Sequence, residues 1–240
     1  MPRFFVQPEN IEQGKCLLSP GDSMHARKVL RLKTGDTLTV CDGMGREYDA
    51  LVEGETDGRL CLRLTAERTN QTEPAVRITL YQGVTKADKM ELIIQKCVEL
   101  GIFAIQPVLF ERCVAKDQLK KLQRWNKISE QAAKQSGRGI IPQVKAPSSL
   151  AQVLPLMQSH DLLIVCYENE QSRSLKEVAQ KGAQNIGIVI GPEGGLESGE
   201  VTDIEHVRGS TVTLGRRILR TETAGMAVLS ILMFLMGEME

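Results

Sequence analysis

Two hydrophobic patterns divide the chain near residue 70. Before that point the apolar residues form short alternating runs at 37–41 (TLTVC), 48–53 and 59–64 (RLCLRL), and glycine-containing turns separate them. Alternation of this kind is typical of half-buried strands, and strands spaced by about ten residues predict a small β-barrel. One short helix is expected at residues 25–30.

Strands and helices alternate after a polar linker at residues 67–74 (ERTNQTEP). The apolar runs at 162–167 (LLIVCY) and 186–190 (IGIVI) lack a polar face, as strands buried in a parallel sheet do. Ser174 and Glu177 match the capping-box pattern at the start of the helix predicted at 174–183. The alternation predicts an α/β domain, and the chain is divided into a β-rich domain at 1–70 and an α/β domain at 74–240. The other predicted strands lie at 76–82, 102–108 and 211–214, and the predicted helices at 90–101, 119–136, 174–183, 201–209 and 222–236.

Composition limits the function more than the fold. The 240 residues are 42% hydrophobic and 25% charged, which is typical of a globular protein, and the net charge of zero excludes a general basic field. Any attraction to nucleic acid must then come from local patches. The N-terminus shows no signal-peptide pattern, and the most apolar stretch, 224–236, is shorter than the roughly 20 residues that cross a membrane. We therefore expect a cytoplasmic protein without membrane contact.

The six cysteines lack the close spacing of zinc ligands. Most of them have apolar neighbours, which predicts reduced core residues. No metal is expected.

Three predicted strands end in segments that can bind a ligand. The strand at 162–167 leads to Glu168, the strand at 186–190 leads to GPEGG at 191–195, and the strand at 211–214 leads to Gly215 and Arg216. Ligands of open α/β sheets bind beyond the carboxyl ends of the strands, and glycines allow the backbone to approach them closely. As a motif, GPEGG is explained equally well by a tight turn between a strand and a helix.

The segment RRILRTETA at 216–224 carries three arginines and then opens an apolar helix. Thr221 or Thr223 can cap that helix, and Glu222 favours its positive end. The segment is either a charged loop before a core helix or an RNA-facing loop beside a cofactor pocket, and the sequence favours the second interpretation.

In combination these segments resemble the RsmE family of the knotted SPOUT methyltransferases, which methylate N3 of a uridine in 16S ribosomal RNA. The resemblance covers essentially the whole chain and rests on HARKVLR at 25–31, KADKMELIIQK at 86–96, GPEGG at 191–195 and LGRRILRTETA at 214–224. It implies an N-terminal PUA-like β-barrel, a C-terminal α/β domain with a trefoil knot, S-adenosylmethionine as the cofactor and a homodimer. The implied substrate is 16S rRNA within an assembled small ribosomal subunit.

The resemblance also assigns roles to residues. Transfer to uracil N3 requires alignment of the two reactants and removal of the N3 proton. Arg220 is expected to stabilise the developing anion and Glu222 to accept the proton, with Arg220 ranked first and Thr221 beside them. The residues expected to bind the cofactor are Tyr167, Glu168, Gly191, Pro192, Glu193, Gly194, Gly195, Leu214, Gly215, Ile218, Leu219, Thr223 and Ala224.

Cationic residues cluster in two segments. Residues 112–145 contain nine lysines and arginines and two acidic residues, and a smaller cluster lies at 27–33. A solvated helix face usually explains such a run, but the one-sided sign favours phosphate contact. Trp125 is expected to pack in the core rather than stack on a base. The residues expected to contact RNA are Arg3, Arg27, Lys28, Arg31, Lys86, Arg112, Arg124, Arg138 and Arg217.

Two other functions stay open from the sequence. One is a related knotted methyltransferase that acts on another RNA position, and the other is a non-catalytic RNA-binding assembly factor. The intact cofactor segments favour an enzyme, because an assembly factor has no use for them.

Overall fold

The computed structural model describes residues 1–114, 119–179 and 182–239. It divides into two compact units: unit 1 is Met1–Glu73 with Ala133–Ile141, and unit 2 is Pro74–Ala132 with Pro142–Glu240. The inclusion of Ala133–Ile141 in unit 1 is not visible in the sequence, because its contacts are long-range. The backbone of Ile140, for example, pairs with Gly43.

Unit 1 contains a six-stranded sheet. Its strands are β1 (Arg3–Phe5), β2 (Ile11–Glu12), β3 (Lys15–Leu17), β4 (Thr37–Cys41), β5 (Arg46–Thr56) and β6 (Arg59–Thr69). Their order is β1-β4-β5-β6-β3-β2, and all neighbours are antiparallel except β1 and β4. The β-rich prediction for this part is confirmed, although β1 to β3 are too short to leave a recognisable alternation.

Helix α1 (Pro20–Lys28) begins earlier than the predicted helix at 25–30. Ser19 is its N-cap, and its hydroxyl oxygen accepts a hydrogen bond from the Asp22 backbone N–H at 3.0 Å. Proline at the first helical position suits a site that needs no N–H donor. The capping residue and the proline explain the earlier start.

The remaining elements run from residue 77 to residue 235. They are β7 (Arg77–Gly83), α2 (Ala87–Glu99), β8 (Ala104–Leu109), α3 (Leu122–Ser136), β9 (Gln143–Val144), β10 (Ser148–Ser149), α4 (Leu150–Met157), β11 (Leu162–Cys166), α5 (Leu175–Val178), β12 (Asn185–Ile190), α6 (Ser198–His206), β13 (Gly209–Val212) and α7 (Thr221–Leu235).

Unit 2 contains a parallel sheet of seven strands in the order β10-β8-β7-β12-β11-β13, with β9 on β8. The predicted α/β class is confirmed. The pairing register aligns Ile190 with both Cys166 and Gln82, and Cys166 with Val212. The carboxyl ends of β7, β11, β12 and β13 therefore meet at one edge of the sheet, as the strand-end argument requires.

Helices cover the sheet. Val165 and Val189 pack with Val153 of α4 and with Val201 and Ile204 of α6, while α7 contacts α2, β7 and β12. The apolar final helix is thus a core element, with Val228, Leu229 and Leu232 fully buried. Among the residues that the structure describes, no helix is long and apolar enough to cross a membrane.

Three smaller predictions have clear outcomes. The capping box at Ser174 and Glu177 is present, but the helix ends at Val178 rather than at 183, and residues 180–181 lie outside the described residues. All six cysteines are unpaired, as expected. Burial raises the pKa of the Cys97 and Cys166 thiols to about 12. Trp125 is fully buried, which confirms its packing role.

Candidate functional site

A cavity of about 540 Å³ lies at the carboxyl edge of the unit 2 sheet. Its volume is within the roughly 300–1,000 Å³ that is usual for small-molecule sites. Three segments form its walls: the residues after β11, the loop after β12, and the segment between β13 and α7. The lining residues are Lys89, Cys166, Tyr167, Glu168, Ile190, Gly191, Pro192, Glu193, Gly194, Gly195, Val212, Thr213, Leu214, Gly215, Arg217, Ile218, Leu219, Arg220, Thr221 and Ala224.

All the residues predicted to bind the cofactor line this cavity except Thr223. Thr223 is exposed on α7, because residues three apart share a helix face and it is Thr221 and Ala224 that face the cavity. This part of the prediction is corrected. Lys89 also lines the cavity and was not predicted as a site residue, although it lies within the KADKMELIIQK segment.

The GPEGG loop needs its glycines for close contacts. Gly195 has φ +75°, and its N–H donates to the Pro192 carbonyl at 3.0 Å. A Cβ on Gly195 would collide with the Glu168 carboxylate, and a Cβ on Gly83 would lie 2.7 Å from the carbonyl carbon of Gly191. GPEGG is therefore a tight turn that also forms a cavity wall, and its role in binding a cofactor stays a prediction.

A short chain of hydrogen bonds ties α7 to this loop. The Gln82 Nε2 donates to the Thr221 hydroxyl at 2.9 Å, and that hydroxyl donates to the Gly191 carbonyl at 2.7 Å. Because a hydroxyl carries one proton, the bond from Gln82 leaves the Thr221 proton for Gly191. Gln82 is fully buried at the end of β7. Gln82 was not predicted as a site residue. The sequence feature that could have indicated it is a glutamine at the end of a predicted apolar strand.

The backbone of residues 216–219 is open to a ligand. Within the described parts of the chain, its N–H and C=O groups make no intramolecular hydrogen bond. Ile218 is 88% exposed although it lines the cavity. Unpaired backbone groups beside apolar side chains suit the polar edge and the flat face of an adenine.

Charged side chains border the same cavity. The Lys89 ammonium lies 3.3 Å from a Glu193 carboxylate oxygen and 3.4 Å from Glu222 Oε2, which is buried. Desolvation alone would lower the pKa of Lys89, but hydrogen bonds and attraction from the two carboxylates raise it overall. Arg220 is exposed, and its carbonyl accepts the N–H groups of Thr223 and Ala224 as α7 begins. The Glu222 carboxylate already contacts the Lys89 ammonium, whereas the exposed Arg220 side chain is accessible to a ligand.

The structure separates the residues that were predicted to contact RNA. Arg138 is only 4% exposed, and its guanidinium pairs with Glu73 at 2.6 Å. We correct its role, because a buried and paired guanidinium does not present itself to phosphate. Arg3 is similarly paired with Glu47 and is mostly buried.

The GPEGG loop (191–195) and the residue that follows it closely, Glu197, hold Arg112. Its guanidinium bonds Glu197 at 2.7 Å and the Gly194 carbonyl at 2.9 Å. It therefore supports the loop, and its partial exposure still permits an RNA contact.

The other predicted RNA contacts are exposed. Arg27, Lys28 and Arg31, here called the N-terminal basic cluster, lie on and just after α1, and Arg27 pairs with Glu55 at 2.6 Å. Lys86, Arg124 and Arg217 are exposed on unit 2, and Arg124 pairs with Glu91 at 2.7 Å. Within the cationic segment 112–145, residues 115–118 lie outside the described residues.

Comparisons of the sequence with known proteins agree with this geometry. A family model described as an RNA methyltransferase domain matches residues 72–233, and one described as an RNA methyltransferase PUA domain matches residues 18–65. Ribosomal RNA small subunit methyltransferase E from Bacillus subtilis is 34% identical over 245 residues, covering 96% of this chain and 95% of the relative. The protein of the same name from Aquifex aeolicus is 31% identical, covering 90% of this chain and 93% of the relative.

Solved structures show the same similarity. Ribosomal RNA small subunit methyltransferase E from Neisseria gonorrhoeae, bound to S-adenosylmethionine, superposes with a TM-score of 0.90 at 34% identity and 98% coverage of both chains. A methyltransferase from Legionella pneumophila, solved with S-adenosylmethionine, superposes with a TM-score of 0.87 at 29% identity and 97% coverage of both chains.

Proposed function

This chain belongs to the ribosomal RNA small subunit methyltransferase E (RsmE) family, and from that premise we propose that it methylates N3 of one uridine in 16S rRNA. The chain is an S-adenosylmethionine-dependent rRNA methyltransferase with a PUA-like domain. The observation that carries the proposal is the cavity formed by three strand-end loops, which has open backbone groups on one wall and Arg220 on the same wall.

The residues present fit the cofactor. Bound S-adenosylmethionine supplies a methyl group on a positively charged sulfur, so the leaving group is built into the cofactor. We assign adenine binding to the backbone of residues 216–219, whose N–H and C=O groups are unpaired, and the exposed Glu168 carboxylate suits the ribose hydroxyls or the positive end of the cofactor. Gly191 and Gly195 let the backbone of the facing loop approach the cofactor closely.

Arg220 is the better candidate for the chemistry on uracil. When N3 loses its proton to solvent, negative charge develops on the neighbouring carbonyl oxygens, and a guanidinium near those oxygens stabilises it. Arg220 is exposed at the cavity wall and its backbone is fixed by the start of α7. Glu222 is paired with Lys89 and is held back from acting as a base while that contact persists.

We also propose a route for RNA binding. Unit 1 acts as a PUA-like β-barrel that contacts RNA through the N-terminal basic cluster, and unit 2 adds Lys86, Arg124 and Arg217. We further propose that residues 187–224 of unit 2 thread through a loop as a trefoil knot, as the family resemblance implies. The substrate is 16S rRNA in an assembled small subunit, and the protein works in the cytoplasm, where that substrate forms.

A homodimer completes this proposal. Phe234 and Ile231 of α7 are 68% and 45% exposed, and Leu92 of the adjoining α2 is 40% exposed. Ile231 and Phe234 are three residues apart and share one face of α7, and exposed apolar side chains on one face suit an interface between subunits. Size-exclusion chromatography with light-scattering detection is expected to give a molar mass of twice the chain mass. A monomer at the concentration used for catalysis would contradict the dimer.

The function is tested with labelled S-adenosylmethionine and ribosomal particles from cells that lack the activity. We expect label in small subunits and none in large subunits, with less in free 16S rRNA. Arg220→Ala is expected to abolish incorporation while retaining cofactor binding, and Glu222→Gln to retain part of the activity. Label in large subunits, or full activity of Arg220→Ala, would contradict the assignment.

A further inference from the structure

Lys89 connects two walls of the cavity that come from distant parts of the chain. Glu193 belongs to the loop after β12 and Glu222 to the first turn of α7, and one ammonium lies 3.3 and 3.4 Å from their carboxylates. The Lys89 side chain lines the cavity and is 25% exposed. The alternative role of a solvated surface lysine does not explain two acidic partners in one pocket.

Without this ammonium the two carboxylates would face each other. Since both contact one nitrogen, the contacting oxygens lie within about 7 Å of each other, less than the ~8 Å screening length of physiological salt. Glu168, Arg217 and Arg220 line the same cavity, and Lys86 and Asp88 flank Lys89 on its own element. Removing one positive charge therefore makes the cavity more negative, and under the proposed function this is the cavity in which an anionic uracil forms.

We propose that Lys89 is a positioning residue. Its ammonium joins the loop after β12 to α7 through Glu193 and Glu222, and it offsets the negative charge of these two carboxylates during methyl transfer. This inference rests on the proposed function, because it requires a uracil anion in the pocket. Lys89 acts without touching either reactant. It sets the distance between the two cavity walls and lowers the free-energy cost of deprotonating the uracil.

The charge-based role predicts a specific pattern of rescue. Lys89→Met leaves two opposed carboxylates, and we expect single-turnover methyl transfer to slow by about tenfold and its pH profile to move by about one unit toward alkaline pH. Lys89→Arg keeps the charge and is expected to stay within about threefold of the wild type. Adding Glu193→Gln to Lys89→Met removes one of the opposed charges, and this double variant is expected to recover most of the lost rate and to reverse the shift in the pH profile.

The matched control is Lys96→Met on the same helix. Lys96 pairs with Glu99 at 2.9 Å and does not line the cavity, so the same substitution breaks an ion pair away from the site. We expect its rate and pH profile to match the wild type.

The outcomes separate the inference from the function on which it rests. A wild-type protein that does not methylate small subunits would overturn the proposed function. An active wild type with an unshifted pH profile for Lys89→Met, or a double variant no faster than Lys89→Met, would overturn the role of Lys89 alone. If Lys89→Met unfolds, a comparison of the arginine variant and the double variant with the wild type decides the question, and loss of activity in both overturns the proposal.

Discussion

The Thr221 hydroxyl joins α7 to the GPEGG loop, and its removal tests that connection directly. Thr221→Val preserves the branched shape and removes the hydroxyl, which accepts a hydrogen bond from Gln82 and donates one to the Gly191 carbonyl. Gln82 then keeps its amide bond to the Gly83 carbonyl but loses its contact with α7. Gly191 loses the donor that fixes its carbonyl at the cavity wall.

The magnitude follows from the burial of the groups left behind. Each buried polar group that loses its partner costs about 1–3 kcal/mol. Gln82 is fully buried, whereas Gly191 borders the cavity and water can reach it, so we expect a total loss of about 2–4 kcal/mol. The melting temperature then falls by roughly 5–15 °C for a chain of this size. Cofactor affinity is expected to weaken about tenfold, or about 1.4 kcal/mol, as the Gly191 wall loses its tether.

The assay combines thermal unfolding with calorimetric titration of S-adenosylmethionine. Thr223→Val is the matched control, because it makes the same chemical change two residues later at an exposed position outside the cavity. We expect the control to stay within about 0.5 kcal/mol of the wild type in stability, with unchanged affinity. Equal behaviour of the two variants would refute the reasoning, as would a destabilised Thr221→Val with unaltered affinity.

Three further predictions use other parts of the structure. Gly195→Ala is expected to weaken cofactor binding, because its Cβ would displace the Glu168 carboxylate at the cavity wall. Gly58→Ala has the same φ of +75° but open space around it, and it is expected to cost only about 1–2 kcal/mol of stability; equal cofactor affinity in both would contradict this. Burial holds the pKa of His160 below 6.5, so below that pH the unfolded chain binds a proton that the folded chain does not. In urea titrations, the free energy of unfolding should keep its full His160 contribution above about pH 6.5 and decline as the pH falls below it. His160→Gln should remove that part of the decline, and an identical decline in the variant would exclude His160 as its source. Glutamine at all three positions of the N-terminal basic cluster should weaken RNA binding and flatten its salt dependence by roughly one unit of slope per lost phosphate contact, and an unchanged slope would exclude the cluster.

The fold of unit 2 was largely predictable because its strands are buried on both faces. Apolar runs such as LLIVCY and IGIVI mark such strands directly, and their alternation with helices gives the α/β class. The short strands β1 to β3 and the grouping of Ala133–Ile141 with unit 1 were not predictable in the same way. They depend on pairing with distant residues, which leaves no local period in the sequence.

The candidate site was predictable where backbone geometry defines it. Glycines and strand ends indicated the cavity walls, and the parallel register brings them together. The sequence did not reveal Gln82 or Lys89, because each acts through partners more than one hundred residues away. Arg138 was misassigned for the opposite reason, since its charge suggested RNA while its burial beside Glu73 is a property of the folded chain.

Locating the transferred methyl group tests the proposed methylation of uridine N3 most directly. Small subunits from cells that lack the activity would be incubated with the protein and methyl-deuterated S-adenosylmethionine. The 16S rRNA would then be analysed by nucleoside mass spectrometry and by primer extension, which a methyl group on the pairing edge of uracil arrests. We predict one labelled N3-methyluridine and one matching arrest with the wild-type protein, and neither with Arg220→Ala. A labelled ribose, a different labelled base or label at many uridines would contradict it.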